Sequence, residues 1–397
     1  MIHNFKVENF YSINEKQELD FTSNNKYSDS YTDFKSSYVS NISCFVGANA
    51  SGKTNIFKAL AFLLWFAEKS FYRVNDAGDD FLFQPHKLRE GDVTTFELLF
   101  DINDILYKYE LVLTTEKVIS EILEIKSVKG YSYLYKLTNI DGEINIKYNR
   151  AKLLAPINKK DENRFKTKQN ATFLSFLIGT GYLEELNFSS ISPARFSNVF
   201  AAGPRSFDQI SESIFLTKEL ESTDIRSKLL PYLKSFDFGI ENFSEDKSSV
   251  RVRNIDLVEF KHSGLNKTFN ISAIDESAGT IKGTFLLLKL LDILEKGGIA
   301  IIDELDARLH YDIARKLISL FANKDSNVKH AQLFFSTHQP LFLNDRDKKQ
   351  IFLCYKENCI DTEIYRLDDV EGVRNTENFF EKYLSGEYGA TPRIGKC

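Results

Sequence analysis

The chain has 397 residues, enough for two or three domains and a large core. Hydrophobic residues make up 43% and charged residues 27%, the balance of a globular protein and not of a disordered or membrane-embedded one. The net charge of -5 excludes a global basic field for DNA, so any nucleic-acid contact must come from a local patch.

Cys44, Cys354, Cys359 and Cys397 form no C-x-x-C pair and have no histidine cluster beside them. That argues against a zinc site or a disulfide framework and suits a reducing, cytoplasmic setting. The opening residues lack the apolar run of a signal peptide. The longest apolar stretches, 56–66 and 285–294, are interrupted by Lys58 and Lys289 and read as buried helices.

Residues 2–21 alternate loosely, with Phe5, Val7, Phe10, Ile13, Leu19 and Phe21 apolar, which predicts a strand pair joining the core sheet. Residues 22–40, rich in Ser, Tyr and Asp, read as a loop. A short apolar strand over 41–46 then leads into Gly47-Ala48-Asn49-Ala50-Ser51-Gly52-Lys53-Thr54, followed by a helix with Ile56, Leu60, Leu63 and Leu64 at helical spacing. This fits the phosphate-loop pattern G-x-x-x-x-G-K-S/T in the strand-loop-helix context it requires. Glycines let backbone amides turn onto an anion, and the helix N-terminus adds its positive dipole end. Gly47, Asn49, Ser51, Gly52, Lys53, Thr54 and Asn55 are therefore expected to bind ATP, with Lys53 on the β- and γ-phosphates and Thr54 on Mg2+.

Strand patterns at 95–100, 105–113 and 119–125, and an Asp141-Gly142 turn between 133–140 and 143–148, predict an antiparallel meander. Residues 150–170 read as a polar loop in which Lys152, Lys159, Lys160, Arg164, Lys166 and Lys168 stand against Asp161 and Glu162. Such a run is a solvated face or a contact for a phosphate backbone. Helices are expected at 171–178, 182–188, 207–221 and 224–236, with strands at 249–261 and 268–272. The organisation expected is an N-terminal lobe at 1–150, a mainly helical insertion at 151–245 and a C-terminal lobe at 246–397.

Residues 298–304 form an apolar run ending in Asp303 and Glu304. A parallel strand covered on both faces reads this way, and ligands bind at its C-terminal end. Asp303 is expected to coordinate Mg2+, directly or through water, and Glu304 to polarise the attacking water. Upstream, Glu276-Ser277-Ala278-Gly279-Thr280 opens a helix; taken alone, its Ser and Gly could be simple caps. Residues 332–338 are a strand ending in His338, and Gln84 stands in Phe81-Leu82-Phe83-Gln84-Pro85.

In that order these stretches resemble the ATP-binding-cassette class. The resemblance implies that Ser277 and Gly279 clasp the γ-phosphate of a nucleotide held by another protomer. It implies that Leu305-Asp306-Ala307-Arg308-Leu309-His310 is the D-loop, that His338 senses the γ-phosphate, and that Gln84 is the Q-loop glutamine contacting Mg2+. The order is unlike that of hexameric ring ATPases or small P-loop kinases.

More narrowly, the chain resembles bacterial ATPases of the AAA15/AAA21 type, whose heads are like those of structural-maintenance and Rad50 proteins. It looks like the ATPase components of AriA-, RloA-, AbiL- and OLD-like anti-phage defence pairs. Phe5-Lys6-Val7-Glu8-Asn9-Phe10 is similar to the opening strand of that group. Its C-terminal motif is resembled by Tyr383-Leu384-Ser385-Gly386-Glu387-Tyr388-Gly389-Ala390-Thr391-Pro392. Ala50 stands where glycine is common. The resemblance implies an α/β head with an antiparallel β-lobe and a helical insertion, dimerising or assembling further through an ATP sandwich. There is no long coiled-coil insertion, and residues 339–397 are too few for a fused Toprim domain. The resemblance therefore implies a separate, co-encoded effector, a Toprim-type nuclease being the leading expectation. A DNA-repair ATPase of the RecF or Rad50 kind is the alternative reading, and a transporter cassette a weaker third.

Overall fold

The computed structural model describes residues 1–72, 84–153, 155–183, 188–191, 209–236, 238–244, 250–252, 254–264, 267–358 and 360–392. Its centre is a five-stranded sheet in the order Ile299–Ile302, Gln332–Thr337, Ile42–Gly47, Ile351–Glu357 and Asp361–Arg366. The first four strands are parallel, and the last runs antiparallel to its neighbour. Successive side chains point to opposite faces, and here both faces are covered. Phe45, Ile301, Phe334 and Phe352 enter one core, while Cys44, Val46, Ala300, Leu333, Phe335 and Leu353 enter another. Two-sided burial is why these strands read as unbroken apolar runs. Burial also pushes the Cys44 and Cys354 thiols up to about 12.

The first core lies beneath a seven-stranded sheet ordered Glu143–Tyr148, Gly130–Ile140, Val118–Ser127, Ile105–Leu113, Thr94–Ile102, Ile2–Glu8 and Gln17–Asp20. The meander is as expected, with Asp141 (φ 50°) and Gly142 (φ 86°) making a left-handed turn. The opening strand pair is not where the sequence suggested. Ile2–Glu8 pairs with Thr94–Ile102 and Gln17–Asp20, so it extends the antiparallel sheet and not the parallel one. Its alternation explains this: one face is apolar and one polar, which suits a sheet with one wet side. Residues 22–40 are a loop only in part: residues 24–30 are irregular, and Thr22–Ser23, Tyr31–Phe34 and Ser37–Ser40 form a small three-stranded antiparallel sheet. Their Tyr, Thr and Val favour strands, and Lys35 at φ 51° closes the hairpin.

The phosphate-loop helix, Lys53–Lys69, buries Ile56, Phe57, Leu60, Phe62, Leu63, Leu64 and Phe66 in this first core. Helix Phe173–Gly179 packs beside it. Glu121, fully buried, accepts from the Phe173 and Leu174 amides and from the hydroxyls of Tyr109 and Tyr135, tying the meander to that helix. Within the expected loop at 150–170, residues Lys159–Lys166 form a helix capped by Asn158 and anchored by buried Phe165. A single apolar residue in an otherwise charged turn gave no periodicity to detect.

The second core holds helices Gln209–Glu219, Thr223–Ser235, Ala278–Lys296 and Tyr311–Ala322 through Leu216, Leu220, Leu229, Leu233, Ile281, Leu287, Leu317 and Phe321. Most of the expected helix at 182–188 lies outside the described residues, as do 207, 208, 249 and 253. Strands Arg251–Val252, Ile255–Asp256, Glu259–Gly264 and Lys267–Ser272 lie in the expected strand region, with breaks at 254 and 257–258. Among the described residues no helix is long and apolar enough to cross a membrane.

Candidate functional site

The loop at 47–54 leaves the sheet between two close approaches. A Cβ on Gly47 would lie 2.1 Å from the Cys354 carbonyl oxygen, so the adjacent strand can pair only with glycine there. Gly52, the residue preceding the helix, has φ 102°, and its missing Cβ would meet Thr362 Oγ1 at 2.0 Å. Ala50, standing where glycine is common, takes φ 62°, a left-handed conformation that costs an L-residue roughly 1–2 kcal/mol. Lys53 is buried, and its ammonium donates to the carbonyls of Gly47 and Ala48, both at 2.9 Å. Burial pulls that ammonium below its ordinary pKa. Ser51 is also buried, and its hydroxyl has no hydrogen-bond partner among the described residues. Asn55 donates to Ser12 Oγ, which in turn contacts Thr362 Oγ1 and steadies the helix start.

The strand carrying His338 lies between the loop strand and the strand that precedes Asp303. This order brings three stretches of sequence to one sheet edge. Thr54 Oγ1 donates to Asp303 Oδ2 at 2.6 Å. Ser336 Oγ donates to Asp303 Oδ1 and accepts the Glu304 amide at 2.8 Å. Glu304 takes φ 51°, which aims an exposed carboxylate past the strand end, and its Oε1 lies 3.4 Å from His338 Nε2. Residues 49–55, Asp303, Glu304, His338 and Lys356 line one cavity of about 560 Å³.

A second cavity, about 760 Å³, adjoins the first and shares Asn49, Ala50, Ser51, His338 and Lys356 with it. Its far wall is the C-terminal segment: Tyr383, Leu384, Ala390, Thr391 and Pro392, facing Tyr355 and Pro340. The segment is folded on itself. Tyr383 donates to the Ala390 carbonyl, and Tyr365 donates to the Tyr388 carbonyl.

Two expected groups stand apart from the cavity. Gln84 is exposed and does not line it; its carbonyl accepts the Tyr11 amide at 2.8 Å, and residues 81–83 before it lie outside the described residues. Ser277 caps helix Ala278–Lys296 by accepting the Thr280 amide at 3.0 Å, and its side chain is exposed. A Cβ on Gly279 would lie 2.9 Å from the Arg308 carbonyl oxygen. Arg308 itself has φ 65° and pairs with Glu212, fully buried, at 2.7 Å. The Ser-Gly helix start is thus packed against the stretch after Glu304, and it does not line the cavity of its own chain.

A family model described as "AAA domain, putative AbiEii toxin, Type IV TA system" matches residues 42–344. The chain belongs to this AAA domain family. Among solved structures it is similar to the SMC head domain from Thermotoga maritima, at 15% identity, 92% of this chain and 98% of that one, with a TM-score of 0.44. It is also similar to the SmcHead bound to the C-winged helix domain of ScpA, at 15% identity, 93% and 99% coverage, with a TM-score of 0.45. Among curated proteins none matches.

The residues of this AAA domain fit a nucleoside triphosphate with Mg2+. The orphaned Ser51 hydroxyl and an N-terminal helix end face the cavity, and Lys53 needs only to leave two loop carbonyls. Thr54 and Asp303 give one hydroxyl and one carboxylate, the sparse protein donor set that Mg2+ takes when phosphates and waters complete its shell. Among the described residues no group of three or more His, Cys, Asp and Glu could hold a metal alone. Ser336 and Lys356 went unassigned in the sequence. Lys356 follows the apolar stretch Ile351–Cys354, so reading that stretch as a parallel strand would have put a lysine at the ligand-binding end.

Proposed function

We propose that this chain is a cassette-type ATPase. Two copies close over ATP, and their closed and open states hold and release a separately encoded toxic effector in anti-phage defence. The observation that carries the ATPase reading is the meeting of loop, Asp303, Glu304 and His338 in one cavity. Lys53 binds the β- and γ-phosphates. Thr54 and Asp303 hold Mg2+, which when bound neutralises phosphate charge. Glu304 takes the proton of the attacking water, and His338 senses the terminal phosphate. Most of the catalysis is positioning and charge stabilisation.

The dimer reading rests on Ser277 and Gly279. They stand at a helix start where Ser277 is exposed and Gly279 is partly covered, and they do not line the cavity of their own chain. They serve the nucleotide of a second copy. The defence reading is supported by the family description, which names a toxin and a type IV toxin-antitoxin system, and by the C-terminal motif beside the loop. A Toprim-type nuclease is the effector proposed. The deciding experiment co-expresses the chain with its neighbouring gene product and follows complex formation with and without ATP. An ATP-independent complex, or none, would sink the effector reading.

The second reading, a RecF- or Rad50-like ATPase acting on DNA, draws on exposed Lys159 and Lys160. The rest of that cluster is partly occupied within the fold. Lys166 pairs with Glu162, and Lys168 donates to the Phe71 carbonyl. DNA-stimulated ATP hydrolysis would favour this reading.

A further inference from the structure

The phosphate cavity has a second lysine. Lys356 lies near the end of strand Ile351–Glu357, where Cys354 pairs in register with Gly47. Phe352 and Cys354 point into the first core, the side that holds the phosphate-loop helix, and Lys356 continues that face two residues further. Its side chain therefore rises beside the loop just where the loop leaves the sheet. It lines the cavity with Asp303, Glu304 and His338. Among the described residues its ammonium has no ion pair or hydrogen bond. Lys53 is bonded to two loop carbonyls, so Lys356 is the lysine in the cavity with an uncommitted charge.

The two adjoining cavities indicate which end of the nucleotide it faces. Thr54 and Asn55, at the helix start, line only the first cavity, as do Lys53, Asp303 and Glu304. Lys356 lines both, together with Asn49, Ala50, Ser51 and His338, the residue read above as the sensor of the terminal phosphate. Lys356 thus stands on the His338 side, away from the helix start. We propose that Lys356 donates to the terminal phosphate of ATP from within the same chain, a second cation that makes the site prefer triphosphate over diphosphate. This rests on the nucleotide reading above. A charge-assisted bond to phosphate is strong because both partners are ionised, and here one wall is already provided by the loop.

The test is a titration of the full chain with ADP and with a non-hydrolysable ATP analogue, both with Mg2+. Lys356→Ala should weaken the triphosphate by about 10- to 100-fold and the diphosphate by less than about twofold. Lys356→Arg should recover most of the triphosphate affinity. Lys53→Ala should weaken both ligands. Because Lys356 is only half-buried near a strand end, Lys356→Ala should melt close to wild type; Lys356→Gln, which keeps the side-chain stem, gives the same titration should Lys356→Ala fold poorly. Equal losses for the two ligands, or no loss, overturn the role of Lys356 while leaving the phosphate loop intact. Unchanged binding in Lys53→Ala overturns the nucleotide reading and this proposal with it.

Discussion

Ser336 donates its hydroxyl proton to Asp303 and accepts the amide of Glu304, so one side chain on the neighbouring strand Gln332–Thr337 fixes the Asp303 carboxylate and the Glu304 backbone. Asp303 is thereby turned toward Thr54, and the Glu304 backbone is held in its left-handed conformation. Ser336→Ala should lower the ATP turnover rate by about 10- to 100-fold, the worth of a hydrogen bond to a charged group at about 1.5–3 kcal/mol. ATP affinity should change much less, because Lys53 and the loop amides are untouched. Steady-state phosphate release and a binding titration separate the two; an equal fall in both would mean that the serine only supports the fold.

Glu304 lines the cavity with an exposed carboxylate 3.4 Å from His338. It is the residue proposed as the base acting on the attacking water. Glu304→Gln should slow hydrolysis by ~10²–10⁴-fold, the usual range for loss of a general base. The variant should keep ATP bound and accumulate as a closed dimer, seen by light scattering with ATP and lost with ADP. Normal turnover in this variant would remove Glu304 from the mechanism.

The second half of the proposed site can be tested by mixing. Ser277 caps its helix in an exposed position, so a long side chain there obstructs an opposing phosphate by its size, at the cost of the cap, about 1 kcal/mol, while the core stays packed. Ser277→Arg alone and Lys53→Ala alone should both be inactive. An equimolar mixture should regain a fraction of wild-type turnover, because one mixed-dimer site then combines an intact loop with an intact Ser-Gly helix. A mixture as silent as its parts would argue against a shared site.

The fourth parallel strand, Ile351–Glu357, was not read. The other three and the loop were legible because chemistry and periodicity agreed at 42–54, 298–304 and 332–338. Each is an apolar run ending in residues that a strand core would not tolerate. What stayed hidden depends on strand order. Nothing in residues 2–21 says that they pair with Thr94–Ile102 and not with the parallel sheet, since alternation specifies a wet face but not a neighbour. Lys356 is likewise a lone lysine until Cys354 is known to lie opposite Gly47. The C-terminal segment was recognisable as a motif, yet its place against the loop comes from long-range packing of Tyr365, Tyr383 and Tyr388.

Glu121 is a buried carboxylate whose partners are all donors: two tyrosine hydroxyls and two amides at the start of helix Phe173–Gly179. Glu121→Gln keeps the volume but turns an NH₂ group toward donors, leaving at least one buried group unpaired. The expected cost is about 2–4 kcal/mol, seen as a lower midpoint in chemical denaturation. Since the site lies in the β-lobe and away from the cavity, ATP affinity of the folded fraction should be unchanged. A denaturation midpoint equal to wild type would show that this network can rearrange around an amide.

Gly52 makes the sharpest claim about the loop. Its φ of 102° is a conformation that L-residues resist, and its absent Cβ would meet Thr362 Oγ1 at 2.0 Å and Thr362 Cβ at 2.7 Å. Gly52→Ala therefore combines backbone strain of roughly 1–2 kcal/mol with overpacking of about 1–3 kcal/mol. The helix start should shift, weakening ATP binding as well as stability. Adding Thr362→Ala removes Oγ1 and Cγ2 but leaves Cβ in place, so the double variant should recover only part of the stability. Thr362→Ala alone loses a 2.7 Å contact with Ser12 Oγ and should be mildly destabilising. Full recovery in the double variant would mean that crowding by Thr362, and not the left-handed backbone, is what demands glycine at this position.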